Sequence, residues 1–238
     1  MKGEKIIFPH YKDADDMCKW MAGRTGGTCI LSFSGGKDAV ASWLKLREYF
    51  HTIIPVFYYI IPGMQVIEEN LQYYEHFFDT KIIRVPNPNF FRMLNSGVYQ
   101  TPDRNRIIQS YQFPNFSYDD VFDWVKEDLK LPKNTRVAIG NRMFDNLNRY
   151  GSIKKYGAHN ENRKTFYPIW DYKIADVVNI CKQYDIKLSK EYTIWGKSFD
   201  GLDYRFIEPL KRLYPGDYEL LKSYFPLIEA DLLRYGND

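Results

Sequence analysis

The residues with the clearest chemical purpose are Ser34-Gly35-Gly36-Lys37-Asp38. Two adjacent glycines let the backbone reverse with its N–H groups pointing outward, and a helix that starts directly after them adds further N–H groups and the positive end of its dipole. Such a turn cradles an anion, phosphate above all. Lys37 adds a full positive charge, and the hydroxyls of Ser32 and Ser34 can hydrogen-bond to a phosphate oxygen. Asp38 is suited either to the helix N-terminus or to holding a magnesium ion. The spacing is not that of a G-x-x-x-x-G-K-[ST] loop, because Asp38 follows Lys37 and no glycine lies five residues before Gly36. A second group of charged residues lies between Lys133 and Lys164, where eight Lys or Arg face only Asp145 and Glu161. That surplus of six is twice the net +3 of the whole chain. Placed at a strand end, it is what a polyphosphate or a nucleic-acid backbone requires.

The flanking elements must hold these residues in place. Cys29 to Phe33 is a short apolar run, and Val40, Trp43 and Leu44 recur at helical spacing, so a buried strand turns sharply into a helix at Ser34–Asp38. Ile53 to Ile61 reads as a strand covered on both faces and ended by Pro62-Gly63. Ile67, Leu71, Tyr74 and Phe78 mark a helix, Lys81 to Val85 a third strand, and Arg136 to Gly140 a fourth. This alternation predicts an α/β fold with a doubly wound, mostly parallel sheet of five strands, whose ligands sit at the carboxyl ends of the strands.

An N-terminal segment, 1–27, precedes the α/β domain, with a short apolar piece at Ile6–Phe8 and a helix from Asp13 to Ala22. The domain itself is expected over 28–206 and a helical extension over 207–238. The extension reads as two short helices, broken by Pro215-Gly216 and Pro226. Residues 86–116 show little periodicity and read as an inserted loop, a lid or partner-binding segment. Arg92, Arg104 and Arg106, set among Phe90, Phe91, Tyr99 and Tyr111, suit nucleic-acid contact, although aromatics in a loop more often anchor it to the core. From Ser117 a helix is expected to bury Val121, Trp124, Val125 and Leu129, leaving Asp119, Asp120, Asp123, Glu127 and Asp128 as a solvated face.

The 238 residues, 45% hydrophobic, suffice for a substantial core. No apolar run reaches the length of a membrane span and MKGEKIIFPHYKDADD has no signal-peptide core, so a soluble, cytoplasmic protein without a membrane partner is expected. Cys18, Cys29 and Cys181 are too few and too scattered for a disulfide framework or an iron–sulfur cluster, and Cys18 and Cys181 read as packing residues.

Ser34 to Asp38 resembles the PP-loop, SGGKD[ST], of the adenine nucleotide alpha hydrolase superfamily, which includes ATP pyrophosphatases and phosphoadenosine phosphosulfate (PAPS) reductases. Ala39 stands where that pattern has Ser or Thr. Gly140, Arg142, Asp145 and Arg149 are similar to the G-x-R-x-x-[ED]-x-x-x-R segment of PAPS-reductase-like proteins, and Tyr167 to Val178 to their P-[IL]-x-x-W-x-x-x-D-V block, with Tyr172 in place of the Trp. Asp176 in that block reads as a residue of helix and loop structure. Tyr192 and Gly196 match the pattern that precedes the reductase cysteines, but no cysteine follows Cys181. The resemblance implies that Ser32, Ser34, Gly35, Gly36, Lys37, Asp38, Gly140 and Arg142 bind an adenine nucleotide, ATP or a PAPS- or APS-like one. Tyr58 and Ile60 would lie along the adenosine. Lys37, Asp38, Arg142 and Arg149 would act in catalysis, with Mg2+ on Asp38. It further implies adenylation of an acceptor with release of pyrophosphate, in sulfur transfer or in modification of DNA or RNA, with a partner protein or an oligomer compatible with either. Two alternatives stand beside it: a sulfonucleotide reductase that uses a partner's thiol, and a non-catalytic nucleotide sensor or interaction protein.

Overall fold

A computed structural model describes residues 8–199 and 201–235. Of the expected apolar piece Ile6–Phe8, the first two residues lie outside the described ones. Six strands are present among them: β1 (Thr28–Ser32), β2 (Thr52–Tyr59), β3 (Ile83–Pro86), β4 (Arg136–Ile139), β5 (His159–Asn160) and β6 (Thr165–Phe166). They form one sheet in the order β3-β2-β1-β4-β6-β5. β1 runs parallel to β2 and to β4, β4 runs parallel to β6, and β5 is antiparallel to β6. The sheet is therefore doubly wound and mostly parallel, with six strands rather than five. The extra members are two-residue strands around the turn 161–164, too short to carry any periodicity.

The helices are α1 (Ala14–Thr25), α2 (Lys37–Leu46), α3 (Gln65–Phe78), α4 (Pro88–Asn95), α5 (Pro102–Tyr111), α6 (Tyr118–Asp128), α7 (Leu147–Tyr156), α8 (Ile174–Gln183), α9 (Lys190–Trp195), α10 (Tyr204–Leu213), α11 (Pro215–Tyr224) and α12 (Glu229–Tyr235). The chain divides into two compact units. The first comprises the residues up to Phe57, Thr80–Ile83 and Phe122–Leu188; the second comprises Tyr58–Asp79, Arg84–Val121 and the chain from Ser189 on.

In the first unit Cys29, Ile30 and Leu31 of β1 are fully buried, as are most residues of α2 from Ala39 to Leu46. An α2 buried on all sides must satisfy its polar residues locally. The hydroxyl of Ser42 donates to the Asp38 carbonyl at 2.7 Å. The buried ammonium of Lys45 meets Asp15 of α1 and Glu48, the latter at 2.7 Å. The short β5–β6 hairpin is tied down by charge: Glu161 accepts from Arg24 of α1 at 2.6 Å and from Arg136 of β4.

In the second unit α3 is capped from a distance, since the buried carboxylate of Asp217 accepts from the N–H groups of Gln65 at 2.6 Å and Val66 at 2.9 Å. Residues 86–116 are not an irregular loop. They hold α4 and α5, each with a proline at its first turn, the position where a missing N–H costs nothing. Phe90 packs edge-on against Tyr224 and Phe225, and Leu94 and Ile108 are buried, so these aromatics and aliphatics anchor the segment. The C-terminal part contains three helices rather than two, and Pro215 starts α11 instead of only ending α10. On α6 Val121, Phe122 and Val125 are buried, whereas Trp124 and Leu129 are exposed, contrary to the expected apolar face.

The Arg24–Glu161–Arg136 linkage generates a pH test. The hydrogen bond from Arg24, helped by Arg136, holds the Glu161 carboxyl down at about 2, below its ordinary 4.5. A depressed value means that the stabilisation is present above pH of about 4.5 and is lost as pH falls toward about 2. Glu161→Gln should therefore cost ~1 kcal/mol or less at pH 6, given the exposure of the carboxylate, and progressively less as the pH falls toward about 2. Denaturant unfolding at several pH values checks this, and a gap between the two proteins that does not change with pH would contradict it.

Candidate nucleotide-binding site

In the sheet order, the chain runs from β1 outward through β2 to β3 and then returns to β4 on the other side of β1. The crevice at the carboxyl ends of β1 and β4 is thus a topological switch point, where α/β sheets bind ligands. Ser34–Asp38 follows β1 there, and Gly140–Arg142 follows β4.

Gly35 has φ +71°, a left-handed conformation that glycine adopts without strain, and it delivers the chain to Gly36, the N-cap of α2. The N–H of Gly36 donates to the Ser34 hydroxyl at 3.3 Å. Gly36 offers no side chain to cap the helix, and Lys37, Asp38 and Ala39 are its first three residues. The N–H groups of such positions have no acceptor within a helix, a setting that suits an anion. Ser32, half-buried, ends β1 just before the loop, and Ser34 is exposed.

Asp38 is the meeting point of the charges. Arg142, only 3% exposed, donates from Nε to Asp38 Oδ1 at 2.8 Å, and Lys37 Nζ lies 3.3 Å from Asp38 Oδ2. The same guanidinium pairs with Asp145 and donates to the Tyr172 carbonyl at 3.4 Å. Asp145 in turn pairs with Arg149, whose side chain is 42% exposed at the start of α7. The chain Lys37–Asp38–Arg142–Asp145–Arg149 therefore alternates in sign, with its two ends open to solvent and its buried guanidinium at the centre. Gly140 makes this approach feasible. A Cβ there would stand 3.0 Å from the carbonyl carbon and oxygen of Asp38 and 3.2 Å from the Ala39 nitrogen, all backbone atoms that cannot swing aside.

The structure brings together Ser32, Ser34, Gly35, Gly36, Lys37, Asp38, Gly140, Arg142 and Arg149. Tyr58 and Ile60 belong to the second unit; the Tyr58 hydroxyl donates to the Tyr118 carbonyl at 3.5 Å, and burial raises its pKa. Asp145 was not expected to link the two arginines, although its spacing of three and four residues from them is the helical-pair signal that shows it. Asp176 accepts from the N–H of Lys173 at 2.7 Å and so serves the start of α8, as expected. All three cysteines are buried, and burial raises the pKa of each thiol. None is presented as a thiolate nucleophile. Among the described residues, no group of three or more His, Cys, Asp or Glu side chains is placed to hold a metal ion, and no helix is long and apolar enough to cross a membrane.

No family model matches the sequence, and no curated protein does. Among solved structures the chain is similar to an NH3-dependent NAD synthetase from Campylobacter jejuni subsp. jejuni in complex with nitrate, at 16% identity over 94% of this chain and 93% of that one, with a TM-score of 0.44. It is similar to a phosphoadenylyl-sulfate (PAPS) reductase from Candida auris in complex with phosphate, at 10% identity over 76% and 84%, with a TM-score of 0.42. It is similar also to a predicted subunit of a tRNA methyltransferase from Methanocaldococcus jannaschii, at 16% identity over 65% and 74%, with a TM-score of 0.32. Function is therefore argued from the loop and its ion pairs.

Two substitutions test the geometry. Arg142→Ala leaves Asp38 and Asp145 facing each other without their cation and should lower stability by about 2 kcal/mol or more, read by denaturant unfolding. Gly140→Ala should leave the protein folded but displace the first turn of α2, read as amide shifts confined to 34–42 in an NMR spectrum. A fully stable Arg142→Ala protein, or an unperturbed loop in Gly140→Ala, would refute this arrangement.

Proposed function

We propose that this chain is an ATP pyrophosphatase-type enzyme of the PP-loop kind, which binds ATP at Ser34–Asp38 and adenylates an acceptor. The observation that carries the proposal is the left-handed Gly35 leading into an N-terminus without a side-chain cap, with Lys37 beside it, at the switch point of a doubly wound sheet. In the proposed reaction an acceptor oxygen bonds to the α-phosphorus as the bond to the bridging α–β oxygen breaks. Pyrophosphate departs with that electron pair, and the acceptor gives up its proton. The protein's part is positioning and charge stabilisation. The N–H groups of Gly35 to Asp38 orient the phosphates, Lys37 and the exposed Arg149 oppose the charge that grows on them, and buried Arg142 holds Asp38 and Asp145 in place. Magnesium, which shields phosphate charge when bound, would rest on Asp38 and on the phosphates themselves, because it takes few protein ligands.

Adenylation activates an oxygen as a leaving group, after which a sulfur or nitrogen nucleophile can replace it; DNA or RNA is an acceptor that the basic residues of α7 would suit. The buried cysteines count against sulfonucleotide reduction by this chain's own thiols. Lys37→Ala should weaken ATP binding by about 1.5–3 kcal/mol, tenfold or more, without unfolding the protein. Calorimetric titration with ATP measures it, and wild-type affinity in that variant would overturn the assignment of the loop. Tight ATP binding with no pyrophosphate released in the presence of any oligonucleotide or protein acceptor would favour a nucleotide sensor instead.

A further inference from the structure

A second set of cations converges at the opposite end of the same sheet. In the first unit a cleft of about 380 Å³ is lined by Lys126, Lys130, Lys133 and Lys164 together with Asp123, Glu127 and Leu131. Lys133 lies just before β4 and Lys164 just before β6, strands that run parallel, so the cleft adjoins their N-terminal ends. The SGGKD loop follows the carboxyl end of β1, which is parallel to β4. The two places therefore lie at opposite ends of the parallel strands.

The lysines are gathered by unusual backbone. Leu131 N–H donates to the Lys126 carbonyl at 2.8 Å and Lys130 N–H to the Glu127 carbonyl at 3.1 Å, the paired bonds that close a helix around a left-handed residue. Lys130 is that residue, with φ +51°, at a position where glycine is least strained. Lys164 likewise has φ +53° in the turn between β5 and β6, while its carbonyl accepts from Val137 of β4 at 2.9 Å. Lys126 is neutralised by Asp123 at 2.8 Å. Lys130, Lys133 and Lys164 form no ion pair among the described residues, and beside Asp123 the lining of the cleft includes one further carboxylate, Glu127.

From this placement we propose that the cleft is a second binding site, for the linked phosphates of a small polyphosphate, separate from the nucleotide loop. Lysine ammoniums are compact point charges that suit successive phosphate oxygens. Among the described residues no aromatic ring lines the cleft and Leu131 is its one apolar side chain, so the ligand is held by charge and not by a nucleobase.

Inorganic tripolyphosphate is the probe, titrated calorimetrically into the Lys37→Ala protein so that the nucleotide loop is already disabled. One equivalent should bind. The further changes Lys130→Asn, Lys133→Gln and Lys164→Asn should weaken it by roughly tenfold or more, since each removes a charge-assisted contact. Asparagine is chosen at 130 and 164 because it tolerates left-handed backbone, and far-ultraviolet circular dichroism confirms that the fold is kept. Adenosine should not compete. No binding to the Lys37→Ala protein, or equal binding after the three lysine changes, would overturn the proposal. So would a single-stranded oligonucleotide that needs the same lysines and binds more tightly than tripolyphosphate, because the cleft would then follow a nucleic-acid backbone. ATP affinity at the loop is measured separately, so either reading can fail without the other.

Discussion

The structure of the site depends on one buried cation. Arg142 is almost without solvent, and a guanidinium cannot shed its proton to escape that environment. It must therefore be surrounded by acceptors, and it is: Asp38, Asp145 and the Tyr172 carbonyl divide its donors among them. Those three partners come from the start of α2, the segment after β4, and the segment before α8. The need of one charge thus fixes the mutual position of three chain segments around the loop. A lysine in its place would carry the same charge but could not direct donors at two carboxylates and a carbonyl from one plane.

The same constraint explains why a glycine ends β4. For the guanidinium to reach Asp38, the backbone after β4 must pass the first turn of α2 closely, and a Cβ at 140 would stand against backbone atoms of Asp38 and Ala39. Ala39 is itself buried beside that contact. Close approach and ion pairing reinforce each other: the first shortens the path for the second, and the second compensates the burial of charge.

Much of this was legible in the sequence and some was not, for reasons that lie in particular residues. β1, the loop and α2 were readable because an apolar run, two glycines and a helical recurrence all agree locally. The pair Arg142–Asp38 was not, because the partners are separated by 104 residues and only the return of β4 beside β1 makes them neighbours. α4 and α5 were read as loop because Asn, Gln and Pro dominate the composition. Pro88 and Pro102 are helix starters there. Trp124 and Leu129 have helical spacing yet are exposed, which shows that a period marks a face without saying which neighbour covers it.

The basic stretch from Lys133 to Lys164 shows how a count of charges changes meaning once the chain is folded. As a sequence it carries a surplus of six over 32 positions. In the structure its members separate by burial and by partner. Arg136 and Arg142 are buried and answered by Glu161, Asp38 and Asp145, so they act as internal braces. Arg149, Lys154 and Lys155 lie on α7, where Arg149 pairs with Asp145, and Lys133 and Lys164 lie just before β4 and β6. Within this stretch the charges that are buried and shared among several acceptors are arginines, Arg136 and Arg142, whereas Arg149, Lys133, Lys154 and Lys155 keep theirs at the surface. A single electrostatic stripe in the sequence thereby becomes one structural brace and two separate positive regions.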